Sequence, residues 1–356
     1  MNLKQVVDEL IEERGIDRAT LDSIVCEGML AGYKKKYPDI AFDITYDHAT
    51  GLVAINSQKE VTSSTAEDEL RQISLKKARF IDKNTEAGSQ IWVPFEGKIG
   101  RVEILYARQV IAQRIRMVEA ATIFNEFKDK QGEVVHGSVH KCERGGMIIK
   151  LDDALGFLPT SLAVPSDRCV VGLPIRALLK EVLVEPRNDH QLILDRSSSE
   201  FLHKLLELEV PEIFEGLVEV KKIVRIAGYK SKVLVASRDK NIDPVGTCVG
   251  VGGSRITPIL NELGGEKIDI IQWSESLDTL VKGALKPAKV SKVEIVDGTV
   301  ARVWVDEDQR SYAIGKSGQN IALASKLVGL NIQLVQEDEQ KNNNTENFDS
   351  GITDEW

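Results

Sequence analysis

Two segments in the last third of the chain, CVGVGGSRI (Cys248–Ile256) and AIGKSGQNI (Ala313–Ile321), fall in register under a shift of 65 positions. The shift lays Gly250 on Gly315, Gly253 on Gly318, Ile256 on Ile321, Leu263 on Val328 and Gly264 on Gly329. After one extra glycine in the first copy, Gly265, the alternating KIDII meets NIQLV. A β-rich run, SKVLVAS or ARVWVDE, precedes each copy. The shared order is strand, Gly-x-x-Gly, amphipathic helix, glycine, strand. Self-similarity at a fixed period marks a supersecondary unit used more than once. Residues 210–336 are therefore expected to fold as two tandem α/β copies, 210–280 and 281–336.

What such glycine loops can hold depends on spacing. Gly315-Lys316-Ser317 ends like an ATPase phosphate loop, but Gly-x-x-x-x-Gly-Lys-Ser requires a glycine at 310, where Arg310 stands. The first copy suggests a dinucleotide fingerprint, yet position 255 is Arg255 rather than glycine, and Pro244 interrupts the strand such a site needs. Both copies instead fit Gly-x-x-Gly between two helices. Glycines without Cβ let a sugar-phosphate chain approach closely, while loop N–H groups and a helix N-terminus face anionic oxygens. One such loop alone reads more readily as a tight helix–helix turn. Two in register, within a basic segment, favour a phosphate-backbone site.

Charge supports that direction once it is divided along the chain. The net charge is −9, but residues 221–267 hold nine Lys/Arg against four Asp/Glu, or +5, whereas residues 337–356 hold seven carboxylates and one lysine, or −6. A basic segment and an acidic tail suit an anionic partner. The tail composition predicts disorder.

Residues 1–127 read as a mixed α/β domain. Leu3, Val6, Val7, Leu10 and Ile11 repeat at helical spacing before Gly15; a second helix runs from about Arg18 to YKKKYP, with lysines in its last turn and Pro38 as the stop. Ile40, Phe42, Ile44 and Tyr46 alternate, then Leu52, Val53 and Ile55 return as a hairpin. Gly100 to Phe127 lacks Gly and Pro after its first residue and predicts one long helix. Residues 131–200 change to five short β segments with turn punctuation, the pattern of a small closed barrel of the OB type. Cys26, Cys142, Cys169 and Cys248 are scattered without a Cys-x-x-Cys pair, implying neither a zinc cluster nor a disulfide framework and fitting a reduced, cytoplasmic setting. His136 and His140 lie in a predicted strand, where i, i+4 residues do not converge on a metal, and no third ligand is near. No nucleophile–base arrangement, cofactor motif, signal peptide or membrane-length apolar run stands out.

Particular residues carry a family resemblance. Gly-x-Val near the barrel's start, Gly156–Ser161 (GFLPTS) and Leu192–Arg196 (LILDR) resemble the S1 RNA-binding domain; the paired Gly-x-x-Gly units resemble the KH domain. The order of α/β domain, S1, KH and KH, with EVPEI, DPVGTCVG and ELGGEKIDIIQW, resembles the NusA family of bacterial transcription factors over residues 1–336. The resemblance implies an α+β multidomain fold with an OB-type S1 barrel and two type II KH domains. It implies a non-enzymatic, cytoplasmic, monomeric factor without metal or cofactor. RNA polymerase would be bound by residues 1–127, nascent single-stranded or hairpin RNA by the rest, with other Nus-type antitermination factors as further partners. Pausing, intrinsic termination and antitermination would be its targets. The alternative is an RNA-processing or ribosome-associated protein that uses the same modules. Expected RNA contacts are Gly250, Val251, Gly252, Gly253, Ser254 and Arg255 in the first loop, and Gly315, Lys316, Ser317, Gly318, Gln319 and Asn320 in the second. The first loop has no basic residue at its centre, and Arg255 just outside is the expected substitute. Phe157 and Arg196 are the expected S1 contacts; with one clear aromatic, that module is expected to contribute weakly.

Overall fold

The computed structural model describes residues 16–47, 52–63, 68–152, 154–187 and 190–335. The helix expected over Leu3–Ile11 and the acidic tail lie outside them. The described residues divide into two compact units, one reaching to Glu126 and including Val184–Pro186, the other holding Phe127–Leu183 and the chain from Arg187 onward.

In the first unit, helix α1 (Arg18–Lys36) starts where the Asp17 carboxylate accepts the Thr20 amide at 2.9 Å, and ends in Lys34, Lys35 and Lys36 against its negative pole. Strands β1 (Phe42–Asp47) and β2 (Leu52–Thr62) form the expected antiparallel hairpin, with Ile44 opposite Ile55. The eleven-residue β2 also pairs β3 (Gln72–Ser74) and, after helix α2 (Leu75–Ile81), β4 (Gln90–Pro94). Tyr33, Tyr37, Phe42 and Phe95 interlock edge-on or tilted, at centroid separations of 5.1–6.2 Å. The long helix expected after Gly100 is α3 (Arg101–Phe127). It crosses α1 closely, because a Cβ on Gly32 would lie 3.2 Å from that of Ala107.

The second unit begins with a closed barrel of β5 (Val134–Glu143), β6 (Gly146–Lys150), β7 (Leu155–Pro159), β8 (Pro174–Arg187) and β9 (His190–Asp195). The strand order β5-β6-β7-β9-β8 closes where β8 returns to β5, and β7 meets β9 in parallel. One cysteine expectation is corrected here: Cys142 and Cys169 form a disulfide with Cα atoms 6.0 Å apart. Its partners are 27 residues apart and meet only because β5 ends beside the loop before β8, a juxtaposition that spacing cannot reveal.

Two copies of one αββααβ unit follow. The first is α4 (Ser199–Glu209) with the short α5 (Pro211–Phe214), β10 (Val218–Ile226), β11 (Lys230–Ser237), α6 (Pro244–Val249), α7 (Ile256–Glu262) and β12 (Lys267–Gln272). The second is α8 (Leu277–Ala284), β13 (Lys292–Val296), β14 (Val300–Trp304), α9 (Glu307–Ile314), α10 (Gln319–Val328) and β15 (Asn331–Val335). Each sheet pairs its first two strands antiparallel and its last two parallel. Helix α4 is capped by Ser198 and buries Phe201, Leu202, Leu205 and Leu206 fully, each contributing roughly 1.5–3 kcal/mol.

Alternation along β11 distributes its residues between two cores. Val233 and Val235 join α4, α7 and Leu178 of the barrel. Leu234 points the other way and joins Ile271, Val281, Ala284, Ala324 and Leu327, the last four from or beside the second copy's helices. Barrel, first copy and second copy thus share continuous cores.

Candidate nucleic-acid interface

The two glycine loops are built alike to the level of single torsions. Gly250 (φ 75°, ψ 167°) corresponds to Gly315 (73°, 178°), Gly252 (62°, 20°) to Ser317 (52°, 30°), and Gly253 (φ 81°) to Gly318 (74°, 7°). Three left-handed positions in four residues explain the glycines, since other residues incur a steric cost there. Ser317 is one of two described non-glycine residues with positive φ.

The glycines have different tasks. A Cβ on Gly250 would meet the Arg255 amide nitrogen at 3.0 Å, and one on Gly315 would meet Asn320 Cβ at 2.6 Å. These first glycines let the loop close on its own following helix. Around Gly252 and Gly318 a Cβ would meet nothing within 4 Å, so the backbone there faces open space. Gly253 lies near Thr257, with 3.2 Å from its imagined Cβ to the threonine hydroxyl. Val251 is 95% exposed at the first loop's tip, and Ser254 is exposed. Lys316 and Ser317 are exposed in the second loop, whereas Gln319 is half-buried.

Two expected contacts are corrected to a different role. Arg255 donates to the Glu212 carboxylate through both terminal nitrogens, at 2.9 and 3.1 Å, and to the Thr247 carbonyl at 2.8 Å. Asn320 is buried and donates its amide to the carbonyls of Tyr312 and Ala313, at 3.2 and 3.1 Å, and of Leu285 at 3.3 Å. The 65-residue shift that relates Arg255 to Asn320 also relates Thr247 to Tyr312. Both copies therefore use one position to clasp the preceding helix, whose last carbonyls lack helical partners. Arg255, the expected cation of the first loop, is half-buried and has its charge paired with Glu212.

In the barrel, Phe157 is half-buried and stacks on His190, with centroids 4.3 Å apart and planes 5° from parallel. His190, which sequence reasoning missed, covers one face of that ring; nothing in NDHQLIL distinguishes it before β7 and β9 pair. Arg196 is corrected outright. Its side chain is 3% exposed and binds Asp167 through two nitrogens at 2.9 Å, the Glu262 carboxylate, and the carbonyls of Glu262 and Arg176. Arg176 holds Glu262 at 2.9 Å and Glu209 at 3.2 Å. Arg225 binds Glu266 and reaches the carbonyls of Arg196 and Ser198. These arginines bind the barrel to the first copy, and the side chains of Arg196 and Arg225 are buried there. Burial pushes the Glu262 carboxyl up, but Arg196 and Arg176 outweigh it and hold the group below its ordinary range.

Across the two copies, Lys230 donates to the Asn320 amide oxygen at 3.1 Å, and Lys222 to the Lys326 carbonyl at 2.5 Å. The second loop's clasp is thereby tied to the first copy's sheet. The arrangement presents two like-shaped loops, one apolar and one cationic at its tip, on a single packed body.

Comparison with known proteins agrees with this architecture. Family models described as NusA N-terminal domain, NusA-like first KH domain and NusA-like second KH domain match residues 2–121, 196–273 and 277–342. The chain is 37% identical over 314 residues to the transcription termination/antitermination protein NusA of Thermus thermophilus, covering 86% of this chain and 80% of that protein. It is 34% identical over 335 residues to the NusA of Halalkalibacterium halodurans, covering 93% and 87%. With the NusA of Rickettsia conorii the identity is 33% over 357 residues, covering 98% and 70%.

Proposed function

The chain belongs to the NusA family, and from that premise we propose that it is an RNA-binding transcription factor that bridges RNA polymerase and the nascent transcript. Residues 1–127 bind the polymerase; the S1 barrel (β5–β9) and the two KH copies (α4–β12 and α8–β15), expected from the sequence over 131–200, 210–280 and 281–336, contact emerging RNA. The observation that carries the reading is the pair of glycine loops with matching torsions in one body, open at Gly252 and Gly318 and charged at Lys316. Close backbone approach there suits a sugar-phosphate chain, and Lys316 and Ser317 add a charge and a donor.

Tethering through the first domain raises the local concentration of RNA-binding surfaces whose separate contacts are weak. Holding a nascent hairpin then slows the polymerase, and diverting RNA elsewhere opposes termination. The clasp residues Arg255 and Asn320 position the loops and leave base and phosphate contact to Val251, Lys316 and the exposed backbone. Phe157 offers one ring edge to RNA and contributes little affinity. The factor acts as a cytoplasmic monomer without catalysis.

A pause assay with purified polymerase tests the bridge. The full chain is expected to lengthen pauses at a hairpin, and a chain lacking residues 1–127 is expected to lose that effect while still binding RNA. Equal pausing by both would sink the tethering mechanism.

A further inference from the structure

A cavity of about 780 Å³ opens where the first copy's sheet meets the segment joining α8 to β13. Its charged wall consists of Lys230, Lys267, Lys282, Lys286, Lys289 and a single acid, Asp269. Asp269 is already occupied, with Lys230 at 2.7 Å and the fully buried Lys232 at 2.8 Å. Lys282 pairs with Asp278 at 3.0 Å. Lys267, Lys286 and Lys289 are exposed and make no ion pair among the described residues.

The strand register concentrates this excess. In the parallel pairing of β11 with β12, Lys232 stands beside Asp269 but Lys230 stands beside Lys267. Like charges on neighbouring strands repel, and low-dielectric walls sharpen the potential they generate. The rest of the wall is apolar, formed by Ile270, Ile271, Pro287, Ala288 and Val290. A cationic rim against an apolar wall, in a volume within the usual range for small-molecule sites, fits a ligand with a phosphate chain at one end and a flat apolar body at the other.

We propose that this junction binds a nucleoside polyphosphate, its phosphates on Lys267, Lys286 and Lys289 and its base against the apolar side chains of Pro287 and Val290. The lysines assigned to the phosphates lie outside the glycine loops, although Lys230 on the cavity wall also holds Asn320 of the second loop's clasp. The Lys316→Ala variant distinguishes this site from the RNA-binding reading. A ligand here would touch both copies at once and stabilise their relative packing.

Titration calorimetry of the full chain with adenosine and guanosine triphosphates and inorganic tripolyphosphate, at low salt, tests the assignment. One saturable site is expected, with a nucleotide bound more tightly than tripolyphosphate. Lys267→Ala combined with Lys289→Ala should weaken it at least about tenfold, since each removes a charge-assisted contact. Thermal melting of that variant without ligand reports its folding, and both side chains are exposed. Lys316→Ala should leave nucleotide affinity unchanged. Absence of saturable binding, or an equal loss in Lys316→Ala, overturns the site; equal affinity for tripolyphosphate overturns the role given to the apolar wall.

Discussion

Replacing Lys316 and Ser317 together by Asp turns the charged tip of the second loop against phosphate without touching a packed side chain. Asp tolerates the left-handed torsion that Ser317 already adopts, so the fold is expected to survive. RNA affinity should fall, and the dependence of log K on log salt should become shallower because a phosphate contact is lost. Asn320→Ala is expected to behave differently. It strips a buried amide from three carbonyls and the partner from Lys230, which costs about 1–3 kcal/mol of stability by denaturant unfolding. Its RNA affinity should also fall, through a displaced loop. If Asn320→Ala were as stable as the parent, the clasp assignment would be wrong. Neighbours in sequence, Lys316 and Asn320 have separate duties because only one of them points into the protein.

Among the elements, α7 and the barrel are joined by Glu262, which meets Arg176 and Arg196 from β8 and the end of β9. Arg196→Ala should cost about 3–5 kcal/mol, because Asp167 would remain buried without its cation and Glu262 would keep only Arg176. The same pair sets an acid limit. The folded Glu262 carboxyl lies below its ordinary value of 4.5, so its contribution is complete above that value and is lost as pH falls through the folded one. Asp195, where Lys180 and the Ser197 and Ser198 amides outweigh the upward push of burial, acts in the same direction from 3.8. Unfolding midpoints measured from pH 6 to 3 should decline at the acid end, and Glu262→Gln should flatten that decline. A slope unchanged in Glu262→Gln would remove this pair from the acid response. Element identity itself was legible: the paired Gly-x-x-Gly loops, the lysines and Pro38 that end α1 and the uninterrupted run of α3 are local signals.

For the whole molecule, the shared cores forbid treating the two copies as beads on a string. Ending the chain after Trp273 would uncover Leu234 and Ile271, which lie buried against the second copy. Each exposed side chain forfeits roughly 1.5–3 kcal/mol. The truncated chain is expected to melt earlier and to scatter light through association, and an equally stable monomer would refute the shared core. The order of domains, the repeat and the position of both glycine loops were determined by the sequence alone, since each depends on residues within one turn or one strand of each other. Which polar side chains remain available was decided by the tertiary structure. Arg196, Arg255 and Asn320 read as contacts for RNA, yet each is claimed by carbonyls or carboxylates brought from other elements, and Cys142 finds Cys169 in the same way. A sequence records that a guanidinium or an amide is present; only the fold determines whether protein or solvent satisfies it.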